Sequence, residues 1–415
     1  MTALHAWSLS LWLLAGACGA AALYAVLAAL AMRFSVDTER SGGMHDVHRL
    51  PAVTVFKPLC GDEPRLYENL ATFCEQTHDR FQLLFGVSSY DDAAIAIVRR
   101  LRAAYPHVDI DLIVDARVYG SNLKVSNMIN MAEHARHDVF VIADSDIAVQ
   151  PDYLATVVAP LMDASVGVVT CLYEARGIGG FWPRVGALFI NEWFVPSVRI
   201  AHAAGSRDFG FGATLALRRT TLDRMGGFAV LRDCLADDYW LARHARELGL
   251  RTVLSPVVVA TDVIERSVSA LWRRETRWLR TIRSVNRVGF AFLPISFTSP
   301  WLLLAAWLAL RGSSNGHLGF AIAMTVCTAA GVAARVLLHA RCTRASRSFW
   351  RDLPLVPLRD GLFALQWLGA TVGTHVVWRG ARVPVTSSAV PLATPGLAPN
   401  ANRSIVDVME TSDGG

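Results

Sequence analysis

The sequence predicts an α/β domain on an open, mostly parallel sheet, held at a membrane by one N-terminal and two to three C-terminal helices. Three observations predict it. Short apolar runs rich in β-branched residues alternate with helical stretches between residues 51 and 288. Long runs with few or no charges flank this block on both sides. The 415 residues are 53% hydrophobic and only 18% charged, with mean hydropathy +0.34, whereas a soluble chain is about a quarter charged.

Residues 1 to 32 contain no Asp, Glu, Lys or Arg. The run from Trp7 to Met32 exceeds the roughly 20 apolar residues that a bilayer crossing needs. It lacks the basic start of a cleaved leader, so it reads as an uncleaved anchor. Arg33 and Arg40 follow it and put its C-terminal end in the cytoplasm. Four apolar segments then read as buried parallel strands: Ala52 to Phe56, Phe81 to Val87, Ile110 to Val114 and Val139 to Ala143. Pro64 to Cys74 and Ala93 to Tyr105 read as intervening helices.

Downstream, Phe290 to Leu310 is uncharged, and His317 to Ala340 carries only Arg335, near one end, where it can snorkel. The basic segment Arg341 to Arg351 again reads as cytoplasmic. Leu353 to Trp378 is apolar but holds Pro354, Pro357, Arg359 and Asp360; it fits a third span or a re-entrant or interfacial helix. The tail after Pro384, rich in Ala, Pro, Ser and Thr, reads as disordered. The expected organisation is an anchor and linker (1–50), a cytosolic domain (51–288), a membrane bundle (289–383) and a tail (384–415).

A net charge of +5, scattered along the chain, argues against a nucleic-acid partner. Seven widely spaced cysteines without a CxxC pair read as reduced, mostly buried thiols. His134 and His137 lack further metal ligands and read as surface residues on a helix. His202 carries no assignment beyond a place near an acceptor.

In open parallel sheets, ligands bind beyond the carboxyl ends of the strands. Acidic residues occur there. Asp91-Asp92 follows the second strand, and Asp144-Ser145-Asp146 follows the fourth. Two carboxylates at this spacing suit Mg2+ or Mn2+, which take oxygen ligands and complete their shell with phosphate; a turn or helix cap would give the same pattern. Asp237-Asp238 opens a helix running to Leu248, as a general base or as ordinary N-terminal helix charges. Leu271 to Arg280 reads as a helix with Arg274, Arg277 and Trp278 on one face. Guanidinium groups suit phosphate oxygens and an indole suits a sugar or an acceptor channel; a basic helix on anionic lipid fits the same residues. Gly179 to Phe194 is aromatic-rich, fitting an interfacial helix that leads lipid inwards or a plain buried helix. Phe209 to Thr214 fits a flexible wall beside a sugar or a strand with bulge glycines.

Taken together, Asp92, Asp144-Ser-Asp146, Ala236-Asp-Asp-Tyr239 and Arg274-Glu-Thr-Arg277-Trp278 resemble the D, D, D, (Q/R)xxRW pattern of membrane GT-A glycosyltransferases. Within these the sequence is most similar to ceramide glucosyltransferases and their bacterial relatives, including hopanoid-modifying enzymes. Lys57-Pro-Leu-Cys-Gly-Asp-Glu-Pro64, Asn69-Leu, Gly120 to Asn127, Pro357-Leu-Arg-Asp360 and Trp378-Arg-Gly380 match further positions, so the resemblance covers roughly residues 7 to 383. It implies a GT-A, Rossmann-like cytosolic domain on an integral membrane protein, at the cytoplasmic (inner) membrane if the source is bacterial. It also implies a UDP-sugar donor and a ceramide- or hopanoid-type lipid acceptor. Asp92, Lys124, Asp144, Arg274 and Trp278 would bind the donor. Asp144 and Asp146 would hold Mg2+ or Mn2+, and Asp238 and Arg277 would be catalytic. Ser89 stands where the family often has an Asp.

With one base and no second carboxylate placed as a nucleophile, single displacement with inversion is the simpler route. A hexosyl group, glucose or N-acetylglucosamine, is the expected cargo. The rivals are a processive or polyprenyl-phosphate-directed transferase and an inactive scaffold or lipid-binding protein on the same fold. A transporter would need more intramembrane polar residues than Arg335, Arg359 and Asp360.

Overall fold

The computed structural model describes residues 2–33, 50–343, 346–378 and 381–385. The expectations resting on Arg40, on Arg379-Gly380 and on the tail from residue 386 lie outside these residues.

An eight-stranded sheet forms the centre. Its strands are β1 (Val53–Pro58), β2 (Phe81–Val87), β3 (Asp109–Val114), β4 (Val139–Ile142), β5 (Ile147–Ala148), β6 (Val166–Gly177), β7 (Leu215–Arg218) and β8 (Arg251–Val263), in the order β3-β2-β1-β4-β7-β6-β8-β5. The first four pair in parallel, as do β6 and β8. β7 runs antiparallel between β4 and β6, and β5 runs antiparallel to β8. The four strands expected from the sequence are present within two residues. The long strands β6 and β8 were not foreseen, because their polar residues interrupt the apolar signal.

The pleat explains how the sheet is buried on both faces. Val53 and Val55, Leu83 and Phe85, and Val139 and Val141 point into one apolar layer under the helices Leu66–Cys74 and Ala94–Ala104. Phe56, Leu84, Phe140 and Ile142 point the other way, against Leu123–Ala132 and Asp237–Glu247. A third apolar layer joins β6 and β8 to Phe181–Phe189, Val268–Val285 and Leu355–Ala370, tying the sheet to the helical bundle.

Among the described residues, two helices are long and apolar enough to cross a membrane, Leu9–Ala31 and Leu318–Cys342. They pack together through small residues such as Ala28 and Ala29 against Leu338. A Cβ on Gly331 would lie 2.2 Å from Leu302 Cδ2, so the crossing with Thr298–Ser314 is as close as glycine permits.

The structure narrows two membrane expectations and corrects a third. The run Phe290 to Leu310 is broken: Arg287–Ser296 and Thr298–Ser314 meet at 53°. Pro294 opens the short 3-10 turn before the bend, and the Asp360 carboxylate accepts from Ser299 N at 2.9 Å at the start of the second segment. Leu353 to Trp378 yields the 16-residue helix Leu355–Ala370, short of a crossing, followed by a strand at His375–Trp378. Arg335 does not snorkel; it is 9% exposed and ion-paired inside the bundle.

Candidate active site

The site is assembled from three chain segments that start or stop at one edge of the sheet. Asp144 and Asp146 occupy the turn between β4 and β5. Asp237 and Asp238 are the first two residues of Asp237–Glu247. Lys124 lies in the first turn of Leu123–Ala132, whose cap residue Asn122 accepts from Val125 N at 3.1 Å. The Asn122 amide also donates to Cys234 O at 2.8 Å and Asp237 Oδ1 at 3.3 Å, so one side chain fixes both helix starts.

Lys124 Nζ lies 2.7 Å from Asp144 Oδ1 and 3.4 Å from Asp237 Oδ2. Burial pushes its ammonium down, but Asp144, Asp237 and Asp238 outweigh this and hold it well above the ordinary lysine range. Asp238 accepts from Gly212 N (2.8 Å) and Tyr239 N (2.8 Å). Burial and then neighbouring Asp237 push its carboxyl up to about 6. Asp146 accepts from Thr261 Oγ1 at 2.6 Å and is likewise pushed up to about 6, by burial and then by Asp144. A methyl group on Gly212 would sit 3.1 Å from Asp144 Oδ2, 3.4 Å from Asp238 Oδ2 and 3.5 Å from Lys124 Nζ. These groups therefore converge on one glycine.

They line a cavity of about 450 Å3, together with Arg274, Arg277 and Trp278 from Val268–Val285. Of the residues the resemblance implies for catalysis, donor binding and metal, Asp92 alone lies off this lining. Its carboxylate accepts from Gly61 N (3.0 and 3.1 Å) and Ala94 N (2.9 Å), at the start of Ala94–Ala104. Phe209 to Thr214 is an irregular wall, with Phe209 and Phe211 stacked at 5.6 Å. Most of Gly179 to Phe194 is a buried helix, with Phe189 and Trp193 packed on Phe363, though Phe181 is exposed. His134 and His137 fall just beyond Leu123–Ala132 rather than on it. All seven cysteines are free thiols.

Several contacts at the site escaped the sequence reading. Lys57, fully buried at the end of β1, donates to Asp144 O at 2.5 Å, and burial pushes its ammonium down to about 7. A lysine inside an apolar strand run was the signal for it. Ser145 Oγ donates to Glu63 Oε2 at 2.6 Å. Glu265 pairs with Arg274 at 2.6 Å, and nothing near it in the chain marks it out.

The lining carries seven acids (Glu63, Asp144, Asp146, Asp237, Asp238, Asp262 and Glu265) against three bases (Lys124, Arg274 and Arg277). Such a pocket repels a diphosphate unless a cation enters with it. Among the described residues no group of three or more His, Cys, Asp or Glu is arranged to hold a metal alone. Asp144 and Asp146 are two oxygen donors beside open space, which fits an ion of the Mg2+ or Mn2+ kind that takes phosphate and water for the rest of its shell.

A mostly parallel sheet with an acid-rich pocket at its strand ends, roofed by an arginine–tryptophan helix, is the GT-A architecture of glycosyltransferases. A family model described as Glycosyl transferase family 21 matches residues 16–389, and the chain belongs to that family. It is 28% identical over 235 residues to Ceramide glucosyltransferase 3 of Caenorhabditis elegans, covering 56% of this chain and 50% of that protein. It is 26% identical over 232 residues to Ceramide glucosyltransferase 1 of the same worm, with the same coverage, 56% and 50%. The chain thus spans about half the length of the curated relatives it matches. Among solved structures it is similar to a mannosyltransferase from Pyrobaculum calidifontis in complex with GDP-Man and Mn2+, with a TM-score of 0.50 and 21% identity over 87% of this chain and 97% of that one. At that identity the likeness is one of fold.

Proposed function

We propose that the chain is an inverting, UDP-sugar-dependent glycosyltransferase that passes a hexosyl unit, glucose or N-acetylglucosamine, to the hydroxyl of a ceramide- or hopanoid-type membrane lipid at the cytoplasmic face. In this reading residues 51–288 form the catalytic domain and residues 1–50 and 289–383 hold it on the bilayer. The observation that carries the reading is the convergence of Asp144, Asp238 and Lys124 on Gly212, with Asp146, Arg274, Arg277 and Trp278 lining the same cavity. The ceramide glucosyltransferases among its relatives favour a lipid acceptor.

Asp237 is committed to Lys124 and Asn122, which leaves Asp238 as the carboxylate for proton transfer. Two backbone N–H groups orient it. Its carboxyl, pushed up to about 6, is ionised at neutral pH yet basic enough to take a proton. In the transfer step the acceptor oxygen bonds to the anomeric carbon as the bond to the diphosphate breaks. The hydroxyl proton goes to Asp238, and the nucleoside diphosphate leaves with the electron pair. A Mg2+ or Mn2+ ion held by Asp144 and Asp146 would neutralise charge on the diphosphate. Lys124, Arg274 and Arg277 supply further positive charge. One displacement of an α-linked donor gives a β-linked product.

The test incubates purified chain with a panel of radiolabelled UDP-sugars and a membrane lipid extract, with mass spectrometry of the product. A β-linked glycolipid is expected. Transfer only to water or to a soluble sugar would sink the lipid reading, and an α-linked product the single displacement.

A further inference from the structure

The helix Leu355–Ala370 carries two adjacent charges, Arg359 and Asp360, both buried (3% and 8% exposed) and neither on the cavity lining. Burying ionised groups costs several kcal/mol each, and an apolar pair would pack the bundle at least as stably. Their partners show what the charges do.

Arg359 faces the back of the pocket. Its Nη1 lies 2.9 Å from Glu275 Oε2, and its Nη2 donates to Gln366 Oε1 at 3.2 Å. Gln366 in turn donates to the same Glu275 oxygen at 2.8 Å. Glu275 is fully buried, and its other oxygen lies 3.7 Å from Arg274 Nη2. The guanidinium also sits over the rings of Phe189 (5.0 Å) and Phe363 (5.1 Å). Phe189 packs on Trp278 at 5.5 Å between centroids. One side chain thus stands behind two cavity residues, reaching Arg274 through Glu275 and Trp278 through Phe189. Asp360 faces the other way. It accepts from Ser299 Oγ at 2.6 Å and pairs with Arg335 of Leu318–Cys342 at 3.4 Å.

We propose that Arg359 is a positioning residue for the donor end of the pocket. It holds Arg274 and Trp278 in place through Glu275 and Phe189, while Asp360 ties the same helix to the membrane-spanning segments. Val268–Val285 is thereby set at a fixed depth relative to the bilayer, and the arginine–tryptophan pair is set before any ligand arrives. The inference rests on the reading of the cavity as a donor site. Misplacement of such groups by about 1 Å is enough to cost on the order of 10²-fold in rate.

The test compares wild type, Arg359→Gln, Arg359→Lys and Leu358→Ala in the full chain reconstituted in nanodiscs; Leu358 is a partly exposed neighbour on the same helix. Two readouts are taken: KM and kcat with the UDP-sugar that wild type uses, and amide hydrogen exchange. Arg359→Gln is expected to raise the donor KM about tenfold or more and to speed exchange within 268–285, with β4 unchanged. Arg359→Lys, which keeps the charge but not the fork, should recover part of the KM. Leu358→Ala should leave both at wild-type values. Unchanged exchange in 268–285 for Arg359→Gln overturns the proposal. So does a loss of thermal stability with donor KM unchanged, which marks a plain structural anchor. If wild type transfers from no UDP-sugar, the donor reading fails, and exchange within 268–285 still decides the positioning role.

Discussion

The pocket and the helical bundle both enclose ionised side chains, but they arrange them in opposite ways. In the bundle each acid meets a cation: Glu192 meets His339 and Arg335, Asp360 meets Arg335, and Glu275 meets Arg359. In the pocket Asp144 and Asp237 share Lys124, Asp262 meets Arg65 and Arg176, and Glu265 meets Arg274, but Asp146 and Asp238 are pushed up to about 6 by burial and by neighbouring carboxylates. A closed cluster satisfies its charges with one another and fixes geometry. An open cluster holds unrelieved negative charge, which a cation and a cationic transition-state environment can use. The comparison makes a separable prediction: pocket substitutions should act on turnover, and bundle substitutions away from the Arg359–Glu275 pair on folding.

The largest effect belongs to Asp238→Asn. Removing a positioned base costs about 10²–10⁴-fold, so kcat should fall by at least two orders of magnitude while UDP binding, measured by calorimetry, survives. Near-normal turnover would remove Asp238 from the base role. On the bundle side, Glu192→Gln leaves His339 and Arg335 without their shared carboxylate. Breaking a buried pair costs about 3–5 kcal/mol, so thermal unfolding in detergent should move down sharply. A shift within experimental error would show that the bundle charges do not hold the helices.

Gly212→Ala tests the pocket by shape rather than charge. Its methyl group would press on Asp144 Oδ2 at 3.1 Å and crowd Asp238 and Lys124. A displacement of a few tenths of an ångström should lower kcat/KM roughly 10-fold or more, with unfolding unchanged. Wild-type kinetics would mean that these carboxylates do not work as one unit.

How much of this was legible in the sequence follows the same division. Strand-end carboxylates announce themselves, because an apolar run followed by Asp is a local signal. Asp144 and Asp146 were found that way, Asp238 as one of two acids opening a helix, and Arg274, Arg277 and Trp278 by helical spacing. Glu265 was missed because it carries no local pattern, and the contact of Lys57, which stood inside the Lys57–Pro64 match, with the Asp144 backbone 87 residues on is visible only in the fold. The bundle was the least legible part. Arg335 read as a snorkelling residue and Asp360 only as part of the Pro357–Asp360 match, since hydropathy along one helix cannot show that Glu192 and Asp360 face Arg335 from two other segments. The broken span at Leu293–Ser296 was hidden for a similar reason: Pro294 marks a bend only once Asp360 is there to accept from Ser299 N at the start of the second segment.

The smallest and most discriminating effect is the pH dependence of Asp238. With its folded carboxyl near 6 and an unfolded value of about 4, the folded chain keeps a proton between those values that the unfolded chain has released. Stability from this group therefore falls as pH rises through that window and recovers as pH falls. Catalysis needs the opposite form, because only the ionised carboxylate accepts a proton. Acidification from pH 7 to pH 5 should lower kcat/KM about tenfold per pH unit below 6. Over the same range wild type should gain stability relative to Asp238→Asn, whatever constant offset the lost hydrogen bond gives the variant. Taking the difference between the two proteins cancels the titrating groups that do not interact with Asp238, the bundle's included. Activity and relative stability moving in the same direction would mean that acid inactivation is unfolding, and that the pocket's charge is structural like the bundle's.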